Sequence, residues 1–333
     1  MFVAKTFSGL NQNALRYLLP AHMSAQTGVV LRLGFGTIFF FVYEFFVRKK
    51  FAGPTIKEIF LLFGAGLVFV FGYMWALLEG LTYTTPISSS IFISLQPVFV
   101  FIICLVIKTE RATWKKVIGM LLGFGGALLC VLTQHTSEIA SDPFKGNMFC
   151  LLGAFLFSCY LVTEKRFIPR LGSAMVSGLT FCGGAVGGII LVCFTGWDAP
   201  VLRDYFFSTP MLVLLFVLIF PTSISYLLQD FSLKLLSATV VALYSDLILI
   251  VSAIASYIIG QDKFSWWQIL AIFLMLVSVY LVEVAESGPK VTAVSVGSKP
   301  IEKDSAKNVT QVANESKPIG EPARFNNDAS PKE

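Results

Sequence analysis

The sequence predicts an all-α polytopic membrane protein of about ten transmembrane helices, arranged as two inverted five-helix repeats. Three observations carry this. First, of 333 residues 56% are hydrophobic and only 14% charged, with a mean hydropathy of +0.76. A soluble domain has roughly a quarter of its residues charged, so this chain lacks the polar surface to cover a water-soluble body of its size. Second, apolar stretches of spanning length recur from residue 28 to residue 284. Third, the loops between them alternate between basic and cation-poor. A disordered chain, a collagen-like chain and an ordinary cytosolic enzyme are excluded.

Nine spans stand out: Gly28–Val47, Ile59–Leu78, Ile87–Ile107, Val117–Thr133, Gly146–Thr163, Ser173–Thr195, Met211–Gln229, Ala238–Ile259 and Phe264–Val284. Each has about 20 residues, the length that crosses a ~30 Å hydrocarbon core. The opening segment Met1–Pro20 is weaker, because Lys5, Asn11, Gln12, Asn13 and Arg16 lie within it. Charges at mid-membrane cost several kcal/mol each on insertion scales (about 2.5–3.5). A partial first helix ending near Pro20 nevertheless suits the topology, which puts the loop around His22 outside.

That topology comes from the loops. Arg48, Lys49, Lys50 and Lys57 follow the first clear span, Lys108, Arg111, Lys115 and Lys116 the third, Lys165, Arg166 and Arg170 the fifth, and Lys234 the seventh. The loops 79–86, 134–143, 196–210 and 260–263 are poorer in cations. The positive-inside rule puts the basic loops and the C-terminus in the cytoplasm. The net charge of +5 is thus topology rather than a nucleic-acid signal. The tail Ser287–Glu333, rich in Lys, Glu, Ser, Pro and Asn, is expected to be a disordered cytoplasmic segment. No cleavable signal peptide is evident.

A shift of 152 residues overlays Thr113-Trp114 on Ser265-Trp266, Glu110-Arg111 on Asp262-Lys263, and Thr85–Ser88 on Ser237–Val240. A repeat of five helices, an odd number, sits upside down relative to the first, an arrangement common in secondary transporters. The expected organisation is a first repeat over 1–133, an external linker over 134–145, a second repeat over 146–286 and the tail over 287–333.

Several motifs now resemble the EamA family of the drug/metabolite transporter superfamily: Arg32 within Val30–Gly34, the helix start Tyr83–Ser90, Gln96-Pro97, the turn Lys108–Arg111 and the glycine-rich run Gly119–Gly126. In the second half Lys234–Val241, Tyr244 and Gly260–Lys263 are similar. The resemblance covers roughly residues 1–284. It departs from the family at Ile248-Leu249, where a Gln-Pro or Glu-Pro pair is usual, so the kink expected there is in doubt. The family's first helix also begins upstream of the position matching Met1, so the natural reading frame is expected to start earlier. The resemblance implies a secondary transporter, with export the expected direction, of a small metabolite such as an amino acid or amphipathic compound, in a cell membrane of bacterial inner-membrane type. A polytopic lipid-modifying enzyme and a non-transporting scaffold or receptor are the rival readings.

Polar residues inside spans mark the expected site, because each is costly in lipid unless satisfied. Thr222, Ser225, Tyr226 and Gln229 share one helix face just after Pro221. Ser89, Ile93, Gln96 and Val100 make a mixed face beside Pro97. Asp246, two residues past Tyr244, is an intramembrane carboxylate suited to binding a coupling proton or ion. The expected substrate lining is Tyr73, Ser89, Gln96, Thr222, Gln229, Tyr244 and Asp246. Arg32 is expected to snorkel to headgroups or to hold an anion, and Glu164 to pair at the surface beside Lys165. Gly119/Gly123, Gly183/Gly187 and Gly184/Gly188 have the spacing of close helix packing. The six cysteines form no CxxC pair and the two histidines no HExxH, so no metal and no cofactor is expected. The partners are a small-molecule substrate and the lipid bilayer, with a coupling proton or ion and a homodimer left open, and no nucleic acid.

Overall fold

The computed structural model describes residues 1–47, 53–108, 113–133, 140–203, 208–235, 241, 244–261 and 266–286. The expectations for the tail and for half of the linker, 134–139, lie outside these residues. Among them every regular element is helical: α1 Phe2–Leu18, α2 Ala25–Val47, α3 Ile56–Ala65, α4 Phe71–Tyr83, α5 Pro86–Ile93, α6 Gln96–Val106 and α7 Trp114–Thr133 in the first half. Then come α8 Pro143–Leu171, α9 Ser173–Thr195, the short α10 Pro200–Arg203, α11 Thr209–Val217, α12 Ser225–Leu235, α13 Ser245–Ile259 and α14 Trp266–Glu286. Two π-helical segments, Gly66–Val70 and Leu218–Ile224, join α3 to α4 and α11 to α12 into continuous rods.

The chain is a polytopic membrane protein. Among the described residues six helical stretches are long and apolar enough to cross a bilayer, with shorter apolar stretches in α7, α13 and α14. Large apolar side chains stand exposed along the outer faces, among them Phe45, Phe46, Phe60, Phe194 and Ile258. On a soluble protein such a surface would aggregate; here lipid covers it.

Helices end and break where their sequences require. Thr85 caps α5 by accepting from the Ser88 amide, and Pro86 opens the helix, where a missing N–H costs nothing. The span expected over Ile87–Ile107 is interrupted at Ser94-Leu95, just ahead of Gln96-Pro97. Pro221 lies inside the second π segment, and the Ser223 hydroxyl donates to the Leu218 carbonyl at 2.9 Å. A side-chain donor thus serves a carbonyl in the turn where proline has removed a backbone donor.

α2 packs on α9, α4 on α8, α7 on α14 and α1 on α13. Glycines set these approaches. A Cβ on Gly183 would strike the Phe63 carbonyl and one on Gly66 the Thr180 carbonyl, so α3 and its π segment touch α9 backbone to backbone. Gly80 and Gly146 bring α4 and α8 together in the same way. At the α7–α14 contact the Ser278 hydroxyl donates to the Gly119 carbonyl at 2.6 Å and crowds Gly123.

Helix α1 solves the problem its composition posed. Lys5, Asn11, Gln12 and Asn13 are all buried in protein rather than turned to lipid. Ser256 donates to Asn13 Oδ1 at 2.7 Å, Asn13 Nδ2 donates to the Ser252 carbonyl at 3.2 Å, and Ser89 donates to Gln12 Oε1 at 3.3 Å. Arg16 in its last turn donates to the carbonyls of Leu81 and Thr82.

Candidate functional site

A cavity of about 60 Å³ lies among α1, α2, α4, α5, α6, α8, the second π segment, α12 and α13. A water needs at least about 10–15 Å³ on this measure, so only a few would fit. Its polar lining consists of Lys5, Ser8, Asn11 and Gln12 on α1, Arg32 on α2, Tyr73 on α4, Gln96 on α6, and Ser225, Tyr226 and Gln229 on α12. Apolar walls come from Leu77, Ile93, Phe157 and Ile248.

The two cations are deeply placed, Arg32 2% exposed and Lys5 3%. Arg32 Nε donates to Thr222 Oγ1 at 2.9 Å, and Lys5 Nζ donates to Gln229 Oε1 at 3.0 Å while lying 5.9 Å from the centre of the Phe157 ring. Each cation is tied to a neutral acceptor in the segment 222–229. Buried side-chain atoms without a hydrogen-bond partner gather here: Arg32 Nη1, Tyr73 Oη, Ser225 Oγ, Gln229 Nε2 and Asn11 Oδ1. Buried polar groups are nearly always paired, so several together in one cavity lining mark a place built for something else to bind.

Of the expected lining residues, Tyr73, Gln96 and Gln229 meet in this cavity. Gln96 Oε1 accepts from Ser245 at 2.8 Å. Thr222 is buried behind the cavity as the acceptor for Arg32. Ser89 is buried but turned to Gln12 and Cys150. Tyr244 lies in the turn before α13, 42% exposed, and does not line the cavity. Asp246 is the second residue of α13, and its side chain lies outside the described residues.

Two charged residues depart from expectation. Arg32 does not reach a headgroup layer, because Thr222 holds it inside the bundle. Glu164 does not pair at the surface: α8 runs on to Leu171, past the expected end at Thr163, and carries Glu164 into the interior. There Tyr160 donates to Glu164 Oε1 at 2.8 Å, and Ser177 Oγ contacts Glu164 Oε1 at 2.9 Å and Asp230 Oδ2. All four residues are fully buried.

The α1 contribution was missed from sequence because Lys5 and Asn11–Asn13 read as obstacles to a span. The signal was there, since Lys5, Ser8 and Gln12 fall at i, i+3 and i+7, one helix face. Asp230 had no such signal, being one charged residue near the end of an apolar run.

Residues 1–132 and 144–284 match the model of the EamA-like transporter family. The uncharacterized transporter YyaM of Bacillus subtilis is 23% identical over 256 residues, 76% of this chain and 83% of that protein. The WAT1-related protein At3g56620 of Arabidopsis thaliana is 23% identical, covering 82% of this chain and 78% of its own length. An S-adenosylmethionine uptake transporter of Rickettsia prowazekii is 30% identical over 201 residues, 59% of this chain and 62% of that protein. One crystal structure superposes with a TM-score of 0.62 at 16% identity, over 85% of this chain and 98% of that one, which speaks to the fold alone.

Proposed function

This chain belongs to the EamA-like transporter family and is a membrane transporter rather than an enzyme; we propose that it moves a small metabolite, of amino-acid or amphipathic type, through the central cavity by alternating access. The observation that carries this is the cavity itself: unpartnered, fully buried polar atoms on residues supplied by helices from both halves of the chain. A scaffold gains nothing from burying unmet polar groups. A transporter needs them to replace a solute's hydration at the midplane.

The proposed architecture is ten spans in two inverted repeats, 1–133 and 146–286. The 152-residue shift carries Trp114, the first residue of α7, onto Trp266, the first of α14, and Gly66, which opens one π segment, onto Leu218, which opens the other. It also carries α2 onto the region of α9. α2 packs on α9 and α7 on α14, as equivalent helices do across a two-fold axis. The two π segments would be the places where each half bends, since such insertions loosen a helix locally and concentrate at functional sites. The loop charges support a cytoplasmic C-terminus, and bacterial relatives such as that of Bacillus subtilis a bacterial inner membrane. The relative named for S-adenosylmethionine uptake supports a metabolite of amino-acid type. Lacking a nucleotide-binding motif, the chain would draw on a solute, proton or ion gradient for uphill movement.

The test is flux. Purified protein in proteoliposomes, with labelled solutes drawn from metabolite profiles of cells with and without the gene, should show saturable movement that empty liposomes lack. Saturable flux of no solute, in either direction and with or without a pH gradient, overturns the reading.

A further inference from the structure

The cavity's polar lining is unbalanced in charge. Lys5 and Arg32 supply two cations, and no carboxylate is among the described lining residues. The buried carboxyls Glu164 and Asp230 are engaged with Ser177 and Tyr160 instead. The unpartnered atoms are unbalanced as well. Arg32 Nη1 and Gln229 Nε2 are donors, and the hydroxyls of Tyr73 and Ser225 are free to donate. Asn11 Oδ1 is the one pure acceptor among those lining atoms. Lys5 uses one of its three protons on Gln229, and Arg32 one of its five on Thr222.

We propose that the cavity recognises its substrate by a carboxylate group held between Lys5 and Arg32, so that the metabolite carried is a small organic anion. This rests on the reading of the cavity as the transport site. An uncompensated cation in low dielectric is costly, and its penalty is relieved only by an opposite charge with matching hydrogen bonds. A carboxylate offers several acceptor positions and no donor, the complement of this lining. The planar guanidinium suits it in two-point contact, and the ammonium adds a second charge from another helix. With two cations present, a dianion neutralises the site and a single carboxylate neutralises half of it. A polyamine would add positive charge where two charges already stand. Neutral acceptors, Gln229 and Thr222, hold both cations in place without quenching them.

The probes are succinate and L-glutamate as carboxylates, putrescine as a cation of similar size and glycerol as a neutral solute. Thermal unfolding of the full chain in detergent should shift upward with succinate most, with glutamate less, and with neither putrescine nor glycerol. Arg32→Gln and Lys5→Gln should each weaken the succinate response about tenfold or more; the two lie on different helices, so misfolding of one variant leaves the other informative. Stabilisation by putrescine, no stabilisation by either carboxylate, or a succinate response unchanged in both variants overturns the proposal. Counterflow of the same labelled probes separates it from the transport reading. Putrescine flux without carboxylate flux keeps a transporter and sinks anion recognition. Carboxylate binding that requires Arg32, with no flux of any probe, keeps anion recognition and sinks transport.

Discussion

Two polar centres lie inside this bundle, and helix α12 serves both. Gln229 reaches the cationic cavity and Asp230, the next residue, reaches the carboxyl cluster of Glu164, Ser177 and Tyr160. Adjacent residues point about 100° apart around a helix, so one rod can bear on two centres. The cavity leaves five polar side-chain atoms unmet, on Asn11, Arg32, Tyr73, Ser225 and Gln229, and the lining surrounds open space. The carboxyl cluster joins three helices through one serine hydroxyl, with one oxygen of each carboxyl, Glu164 Oε2 and Asp230 Oδ1, left without a hydrogen-bond partner. Ser177 has a single proton but contacts two carboxyl oxygens, so one of the two contacts takes its hydrogen from a carboxyl. Burial by itself therefore says little about function. What distinguishes the cavity from the cluster is open space lined mainly by donors, where the cluster sets carboxyls and hydroxyls in direct contact.

The sharpest way to break this contrast is to damage the fastening. Glu164→Ala leaves the Tyr160 hydroxyl without its acceptor, leaves Ser177 only Asp230, and opens a void. It should cost about 3 kcal/mol of stability, read as a lower unfolding midpoint in detergent. Glu164→Gln keeps the shape and an acceptor oxygen and should cost about 1 kcal/mol or less. If Glu164→Ala unfolds with the parent protein while solute flux alone is lost, the cluster is a functional centre and the contrast fails.

Packing comes next in size. Gly183→Ala drives a methyl into the Phe63 carbonyl, where neither backbone can move far, and should destabilise by about 1–3 kcal/mol. The same substitution at Gly125, around which nothing approaches within 4 Å of an added Cβ, should be neutral within about 0.5 kcal/mol. Equal effects at the two positions would show that the α3–α9 approach is looser than described.

These expectations show how unevenly the molecule could be read beforehand. Each of the nine apolar spans falls largely on helix where it is described, Ser94-Leu95 and Tyr244 being turn residues, because lipid demands long apolar runs and a hydropathy pattern records them directly. The faces on which Tyr73, Gln96 and Gln229 lie were legible for the related reason that a polar residue in a span must face protein or water. Glu164 was misplaced because charge marks the end of a span only when the helix also ends there, and α8 does not. The π segments left no trace, since Gly66–Val70 is an ordinary apolar pentapeptide and only Pro221 hinted at the second. Lys5 was set against a span because composition counts a charge without asking what surrounds it.

A smaller effect is expected where the two centres are linked to the bundle by single bonds. Thr222→Val removes the acceptor of Arg32 Nε while keeping the side chain's shape. Interhelical hydrogen bonds in membranes average about 0.6 kcal/mol, so stability should fall by roughly that amount. The loosened guanidinium should raise the KM for solute more than it lowers the maximal rate, since positioning is what the threonine supplies. A stability loss of several kcal/mol would mean that Arg32 is a strut.

The smallest effect on stability, and the most telling one, is expected at Lys5. Methionine has nearly the same length and no charge, and it suits the apolar side of this cavity beside Phe157. Lys5→Met gives up one hydrogen bond to Gln229, worth about 1.5–3 kcal/mol for a charged donor. It also removes an ammonium buried with no described carboxylate in the lining, and that burial carries a penalty of several kcal/mol. The two terms offset, so stability should stay within about 1 kcal/mol of the parent or rise slightly. Solute recognition should nonetheless fall, because the proposed substrate carboxylate loses one of its two cations. The corresponding change at the other centre, Asp230→Leu, removes a carboxyl that Ser177 contacts and should destabilise. Opposite signs from these two substitutions, on α1 and α12, are what separate a site from a fastening. Matching losses above about 2 kcal/mol at both would make Lys5 part of the frame and leave the cavity without its distinguishing charge.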